Sequence, residues 1–258
     1  TVGIFVRMMD ASLPAAQSAF VRYLIGLVFF LPILINIARS SGRLKHTKII
    51  WYRGFFHVIA VILWFFAMAN ITIAEVTAIG YTSPLFVTIG AALFLGERIK
   101  ARRLIALIIG ICGALIILRP GFKDLELGHL AQLCAAPLFA ISTLIGKKST
   151  DGNSSKDIVA MLTLTCTIFL LPPALVNWIT PTLADLMWLS LTALVATCGH
   201  FAMTAAFRAA PVTVTQPANV MQLVWATIAG VIIWADAIDP FVLIGGGLVV
   251  ASVSYITY

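Results

Sequence analysis

Arg22 is the one charged residue between positions 11 and 38. A guanidinium set in such a run can snorkel to the bilayer surface, pair with another buried group, or hold a substrate carboxylate through its fork of N–H donors. Arg53 and His57 stand four positions apart in a second apolar run, so on a helix they share a face. His200 occupies a third run. Histidine titrates near neutral pH, so proton coupling would be tested first at His57 and His200. Each could instead be a histidine hydrogen-bonded to a neighbouring helix. Arg53 lies near the end of its run and reads as a gating or structural residue, an anchor at the membrane edge.

Two prolines add a different kind of chemistry. Tyr81-Thr82-Ser83-Pro84 and Gln216-Pro217-Ala218-Asn219 each interrupt an apolar run. Proline donates no N–H, so Pro84 frees the carbonyl of Gly80 and Pro217 that of Thr213. Freed backbone at membrane depth is tolerated only against protein or a wet cavity. Asn219, Gln222 and Trp225 follow at spacings of three and can share one face. The candidate substrate-binding set is therefore Arg22, His57, Trp64, Tyr81, Ser83, Pro84, His200, Asn219, Gln222 and Trp225. Glu97 and Asp236, at helix ends, join Arg53 as gating or structural residues. The bland alternatives are kinked helices, interhelical hydrogen bonds and ordinary aromatic packing.

The elements that must position these residues are membrane spans. The chain is 61% apolar and only 10% charged, far from the balance of a soluble domain. Apolar runs long enough to cross a bilayer recur at about 15–37, 50–70, 75–95, 103–119, 128–147, 157–178, 184–208, 212–234 and 240–258. Residues 158–184 and 209–235 carry no charge. The runs do not alternate as barrel strands would. Residues 1–9 form an apolar stub, expected to be the tail of a helix mostly missing from this chain. Connections are short, so function must lie in the bundle itself.

The net charge of +7 reads as topology, not as a nucleic-acid surface. With the stub running outward, Lys and Arg concentrate in alternate loops around positions 39–48, 98–103, 147–156 and 208. That places those loops, and the C-terminus, in the cytoplasm. The four cysteines sit in separate apolar runs without ligand spacing and read as small core residues, so no metal or cofactor is expected.

The two halves resemble each other. Phe66-Ala67-Met68-Ala69 recurs as Phe201-Ala202-Met203-Thr204, and past the next loop Gly96-Glu97 falls on Ala235-Asp236. The expected organisation is 1–122 and 123–258, five helices each. An odd number per repeat inserts the second upside down, an architecture of many secondary transporters. Gly110-x-x-x-Ala114 and Gly247-x-x-x-Ala251 are small-residue faces suited to close packing, with a homodimer contact compatible with them.

Three stretches carry a family resemblance. Phe94-Leu95-Gly96-Glu97-Arg98, Ala19-Phe20-Val21-Arg22-Tyr23-Leu24 and Gln222-Leu223-Val224-Trp225-Ala226 are similar, in order and spacing, to elements of the EamA family of the drug/metabolite transporter superfamily. The sequence departs from the pattern at Ala235-Asp236, where the second repeat would carry Gly-Glu, and at Met221. The resemblance implies an all-α integral membrane protein, a ten-helix inverted-repeat bundle, moving small organic metabolites. Amino acids or related compounds are the first expectation for cargo. A bacterial inner membrane is the expected location, with lipid and a small-molecule substrate as partners.

No GxSxG, HExxH or P-loop pattern is present, and no loop could hold a nucleotide-binding domain. An intramembrane enzyme or lipid-handling protein using His57, His200 and Arg22 is the competing class. Polar residues spread through both halves, not gathered at one membrane face, favour transport.

Overall fold

A computed structural model describes residues 2–9, 13–40, 44–80, 82–83, 85–87, 89–90, 101–119, 125–150, 152–209, 221–237 and 239–257. They form ten helices: α1 Val2–Arg7, α2 Ala15–Arg39, α3 Thr47–Asn70, α4 Ile73–Gly80, α5 Ala101–Leu118, α6 Leu127–Ser149, α7 Ser155–Leu175, α8 Leu183–Ala209, α9 Met221–Trp234 and α10 Pro240–Thr257. Among the described residues, α2, α3, α6, α7 and α8 (to Ala206) are long and apolar enough to cross a membrane, at mean hydropathies of 1.5 to 2.1. Shorter apolar helices cover Ile73–Val87, Ile108–Ile117 and Pro240–Ser252. The protein is all-α and integral to the membrane.

Local chemistry sets several helix starts. Thr72 and Glu75 make a reciprocal capping box at the head of α4: the Thr72 N–H and hydroxyl donate to Glu75 Oε2 at 3.0 and 2.9 Å, and the Glu75 N–H donates to Thr72 Oγ1 at 3.2 Å. Thr182 and Asp185 repeat the device at the head of α8. The Asp157 N–H donates to the side chain of Ser154 to begin α7.

The burial pattern suits lipid. Val28, Phe29, Leu175 and Ile232 are exposed, whereas Gln17, Ser18, Gln132, Ser142, Thr165 and Thr192 are buried. Hydroxyls inside the bundle return their protons to their own helix, as Thr163, Thr165 and Thr167 do on α7. Of the cysteines, Cys166 is buried as expected; Cys112, Cys134 and Cys198 are exposed, so they belong to the outer face and not to the core.

The most extensive packing joins α3 to α6, α5 to α10 and α2 to α7. Several partnerships come in matched pairs when each helix is exchanged for the one five places along: α3–α6 with α8–α1, α3–α7 with α8–α2, and α4–α6 with α9–α1. α5 and α10 meet backbone to backbone at two glycines. A Cβ on Gly113 would stand 2.6 Å from the Gly245 carbonyl oxygen, and one on Gly245 would stand 2.5 Å from that of Gly113. The small-residue faces expected at Gly110 and Gly247 are thus only partly right. Gly110 packs against Leu85 and Ser252, but Gly247 has nothing within 4 Å. Helix rotation, which spacing alone does not set, selects Gly113 and Gly245.

Candidate functional site

His57, midway along α3, joins four helices. Its Nε2 shares a hydrogen bond of 2.9 Å with the Tyr23 hydroxyl of α2, and its Nδ1 one of 3.1 Å with the Ser142 hydroxyl of α6. A neutral imidazole donates from one nitrogen and accepts at the other, and each hydroxyl can play the opposite part. The ring also meets Phe139 of α6 and His200 of α8 edge-on, both at centroid distances of 5.4 Å. Helices from both halves of the chain therefore converge on one buried imidazole.

Arg22 and Arg53 flank this centre. The Arg22 guanidinium lies 4.2 Å over the Tyr23 ring. Arg53 sits one helical turn before His57 and packs against α6, where a Cβ on Gly146 would come within 2.9 Å of its Cζ. Both arginines are buried. Arg53, near the start of α3, is covered by α6 close to the end of that helix.

A second polar region lies at the end of the bundle where α1, α3 and α9 finish and α4, α6 and α10 begin. A cavity of about 400 Å³ there is lined by Arg7, Asn70, Glu75, Glu126, Asp236 and Asp239, among others. Asp236 binds Arg7 through both carboxylate oxygens, and Asp239 pairs with Arg119. Each arginine also faces an aromatic ring, Arg7 that of Trp234 and Arg119 that of Phe241. Glu75, besides capping α4, receives His129 Nε2 at 3.3 Å. The opposite end is tied by Asn153, whose side chain bonds the backbone N–H and carbonyl of Lys45.

The remaining predicted residues divide. Trp64 is half-buried and packs edge-on against Phe65 at 5.3 Å. Ser83 is half-buried. Trp225 is 60% exposed, and no described contact joins it to the histidine centre. Tyr81, Pro84, Glu97 and Asn219 lie outside the described residues, as does the side chain of Gln222. Beside Pro84 the helix tightens: the Thr82 N–H bonds the Ile79 carbonyl three residues back, and the Leu85 N–H bonds that of Thr82. Sequence reasoning missed Tyr23, Phe139, Ser142, Arg7, Asp239 and His129. Tyr23 was at hand, next to Arg22, but nothing in its spacing marked it as the partner of His57.

The family model of the EamA-like transporters matches residues 1–119 and then residues 126–258. The chain belongs to the EamA-like transporter family. Among its relatives, a riboflavin transporter of Vibrio cholerae is 32% identical over 95% of this chain and 83% of that protein. An S-adenosylmethionine uptake transporter of Rickettsia bellii is 24% identical over 99% and 88%. A pseudopaline exporter of Pseudomonas aeruginosa is 26% identical over 96% and 87%. One solved structure, a crystal structure of a protein not further described, has a TM-score of 0.67 at 14% identity and covers 98% of this chain and 95% of that one, a likeness of fold. This EamA-like protein is a membrane transporter.

Proposed function

We propose that this EamA-like transporter moves small organic metabolites, amino acids or related compounds, across a bacterial inner membrane by alternating access, without converting them chemically. Residues 1–122 and 123–258 act as two repeats inserted in opposite senses. The matched helix partnerships support this: exchanging each helix for the one five places along turns α3–α6 into α8–α1, α3–α7 into α8–α2 and α4–α6 into α9–α1.

The observation that carries the reading is the convergence on His57. A buried imidazole bonded to α2 and α6 and edge-on to a ring of α8 is where a cargo between the two repeats would meet polar groups from each. In this reading Arg22, His57 and His200 form the centre and Trp64 an apolar wall. Tyr81, Ser83 and Pro84, with Asn219 and Gln222, supply polar groups at the two proline breaks. The ion pairs of Arg7 with Asp236 and Arg119 with Asp239 close the end that the excess of loop Lys and Arg assigns to the outside. The C-terminus is then cytoplasmic.

The whole protein, reconstituted in liposomes, should accumulate or release members of a panel spanning riboflavin, S-adenosylmethionine and amino acids. The panel is run with and without a pH gradient. Turnover of a lipid with no flux of any solute would sink the reading. Proton coupling through His57 and His200 is part of it, and predicts that His57→Gln or His200→Gln removes the response to the gradient.

A further inference from the structure

Among the described residues, two buried guanidiniums have no counter-ion. Arg22 is 6% exposed and Arg53 3%. Arg22 Nε, Arg53 Nε and Arg53 Nη1 have no hydrogen-bond partner. No ion pair among the described residues involves either arginine. Three carboxylates are buried among the described residues, and each belongs to a helix start: Glu75 is held by Thr72 and His129, Asp185 by Thr182, and Asp157 stands in the first turn of α7 behind Ser154. Uncompensated charge in a low-dielectric interior is costly, and two like charges held near one centre are costlier still.

The two arginines belong to one place. Arg22 lies against Tyr23, Tyr23 bonds His57, and Arg53 stands a turn away from His57 on the same helix. Both arginines thus adjoin the Tyr23–His57 hydrogen bond, Arg22 as the neighbour of Tyr23 and Arg53 one turn from His57. The seat of Arg53 is shaped for it. Gly146 leaves room for the flat guanidinium on the α6 backbone, and any side chain there would strike Arg53 Cζ, Nε and Nη2 at 2.9 to 3.1 Å. Aromatic rings of Tyr23, Phe139 and His200 surround the neighbouring His57.

We propose that Arg22 and Arg53 form a single anion site and that a carboxylate of the transported metabolite supplies their missing counter-charge. The inference rests on the transport reading and narrows its cargo to compounds bearing a carboxylate. Tyr23 and His57 act as positioning residues: their mutual bond holds the two helices in the register that brings the guanidiniums together. In the conformation described here the site is closed to solvent, so anion entry requires one end of the bundle to open.

The test uses the whole protein purified in detergent and follows its thermal unfolding. The additives are sodium acetate, succinate and glutamate, with succinamide and sodium phosphate for comparison, all at one ionic strength set with sodium chloride. At least one carboxylate is expected to raise Tm while succinamide does not. Arg22→Gln and Arg53→Gln should each weaken that carboxylate's binding roughly tenfold to a hundredfold. Gly146→Ala displaces the Arg53 head without removing its charge, and should weaken binding too if Arg53→Gln fails to fold. No shift with any carboxylate, an equal shift with succinamide, or unchanged binding in Arg22→Gln overturns the site. A larger shift with phosphate than with every carboxylate overturns the carboxylate assignment. Liposome flux separates the two readings. Carboxylate binding without flux of any solute removes transport and keeps the site. Flux with an unchanged KM in Arg22→Gln removes the site and keeps transport.

Discussion

Asp236 grips Arg7 with both oxygens, at 2.5 and 3.0 Å, and so joins the last residues of α1 to the turn after α9. The pair is partly exposed, with side chains at 23% and 15%. Its contribution to stability is therefore modest, about 1 kcal/mol or less. Its effect on access should be larger. Arg7→Gln and Asp236→Asn are each expected to speed thiol labelling of a cysteine placed at Ala237, which lines the same cavity. The exchanged pair, Arg7→Asp with Asp236→Arg, should slow it again. Equal labelling rates in all four proteins would show that the pair does not restrict the cavity mouth.

Replacing His57 by Ala orphans the Tyr23 and Ser142 hydroxyls inside the bundle. Each buried group left without a partner costs about 1–3 kcal/mol. Thermal unfolding of His57→Ala should fall well below that of Ser142→Ala, which leaves only one ring nitrogen unpaired. The combined His57→Ala/Ser142→Ala protein should lose less than the sum of the two, because they share one bond.

The crossing of α5 and α10 separates neighbouring glycines sharply. Gly113→Ala and Gly245→Ala drive a methyl into the opposing carbonyl and are expected to destabilise by about 1–3 kcal/mol. Gly247→Ala, two residues along and facing open space, should be neutral or slightly stabilising, since alanine favours helix. Melting curves of the three proteins side by side decide it.

Ala235 adopts φ of +52°, the left-handed conformation that glycine enters freely. In the proposed repeat it takes the place of Gly96. Ala235→Gly should therefore raise stability, by up to about 1 kcal/mol once the extra freedom of the unfolded chain is subtracted. A lower Tm for this variant would mean that the alanine methyl makes contacts worth more than the backbone strain.

The spans were legible because lipid demands an uninterrupted apolar run. The sequence readings of 50–70, 128–147 and 184–208 meet the observed helices within three residues at each end. Rotation was not legible. Gly110, Gly113, Gly245 and Gly247 all sit in suitable small-residue settings, and only the way α5 and α10 face each other selects among them. The burial of Arg53 was not legible for a similar reason: distance along a helix does not give exposure when another helix covers its end. Arg22, His57 and His200 stood out as polar residues in apolar runs. Their partners Tyr23 and Ser142 did not, because hydroxyls satisfied by their own helix are common in such runs and look the same. The cavity lined by Arg7, Glu75 and Asp236 is built from three separate chain turns; charge placement puts them on one side of the membrane, but sequence does not pair them.

Gly113 meets a partner that the ribosome makes only about 130 residues later. At about 5–20 residues per second, that is a delay on the order of ten seconds. During this interval the bare groove of α5 must face lipid or the insertion machinery, and α2 and α3 likewise await α7 and α6. Completion of this protein is thus a late event in biosynthesis. The first half has to persist in the membrane as a set of loosely held helices, exposed to quality-control proteases, until the second half arrives to clasp it.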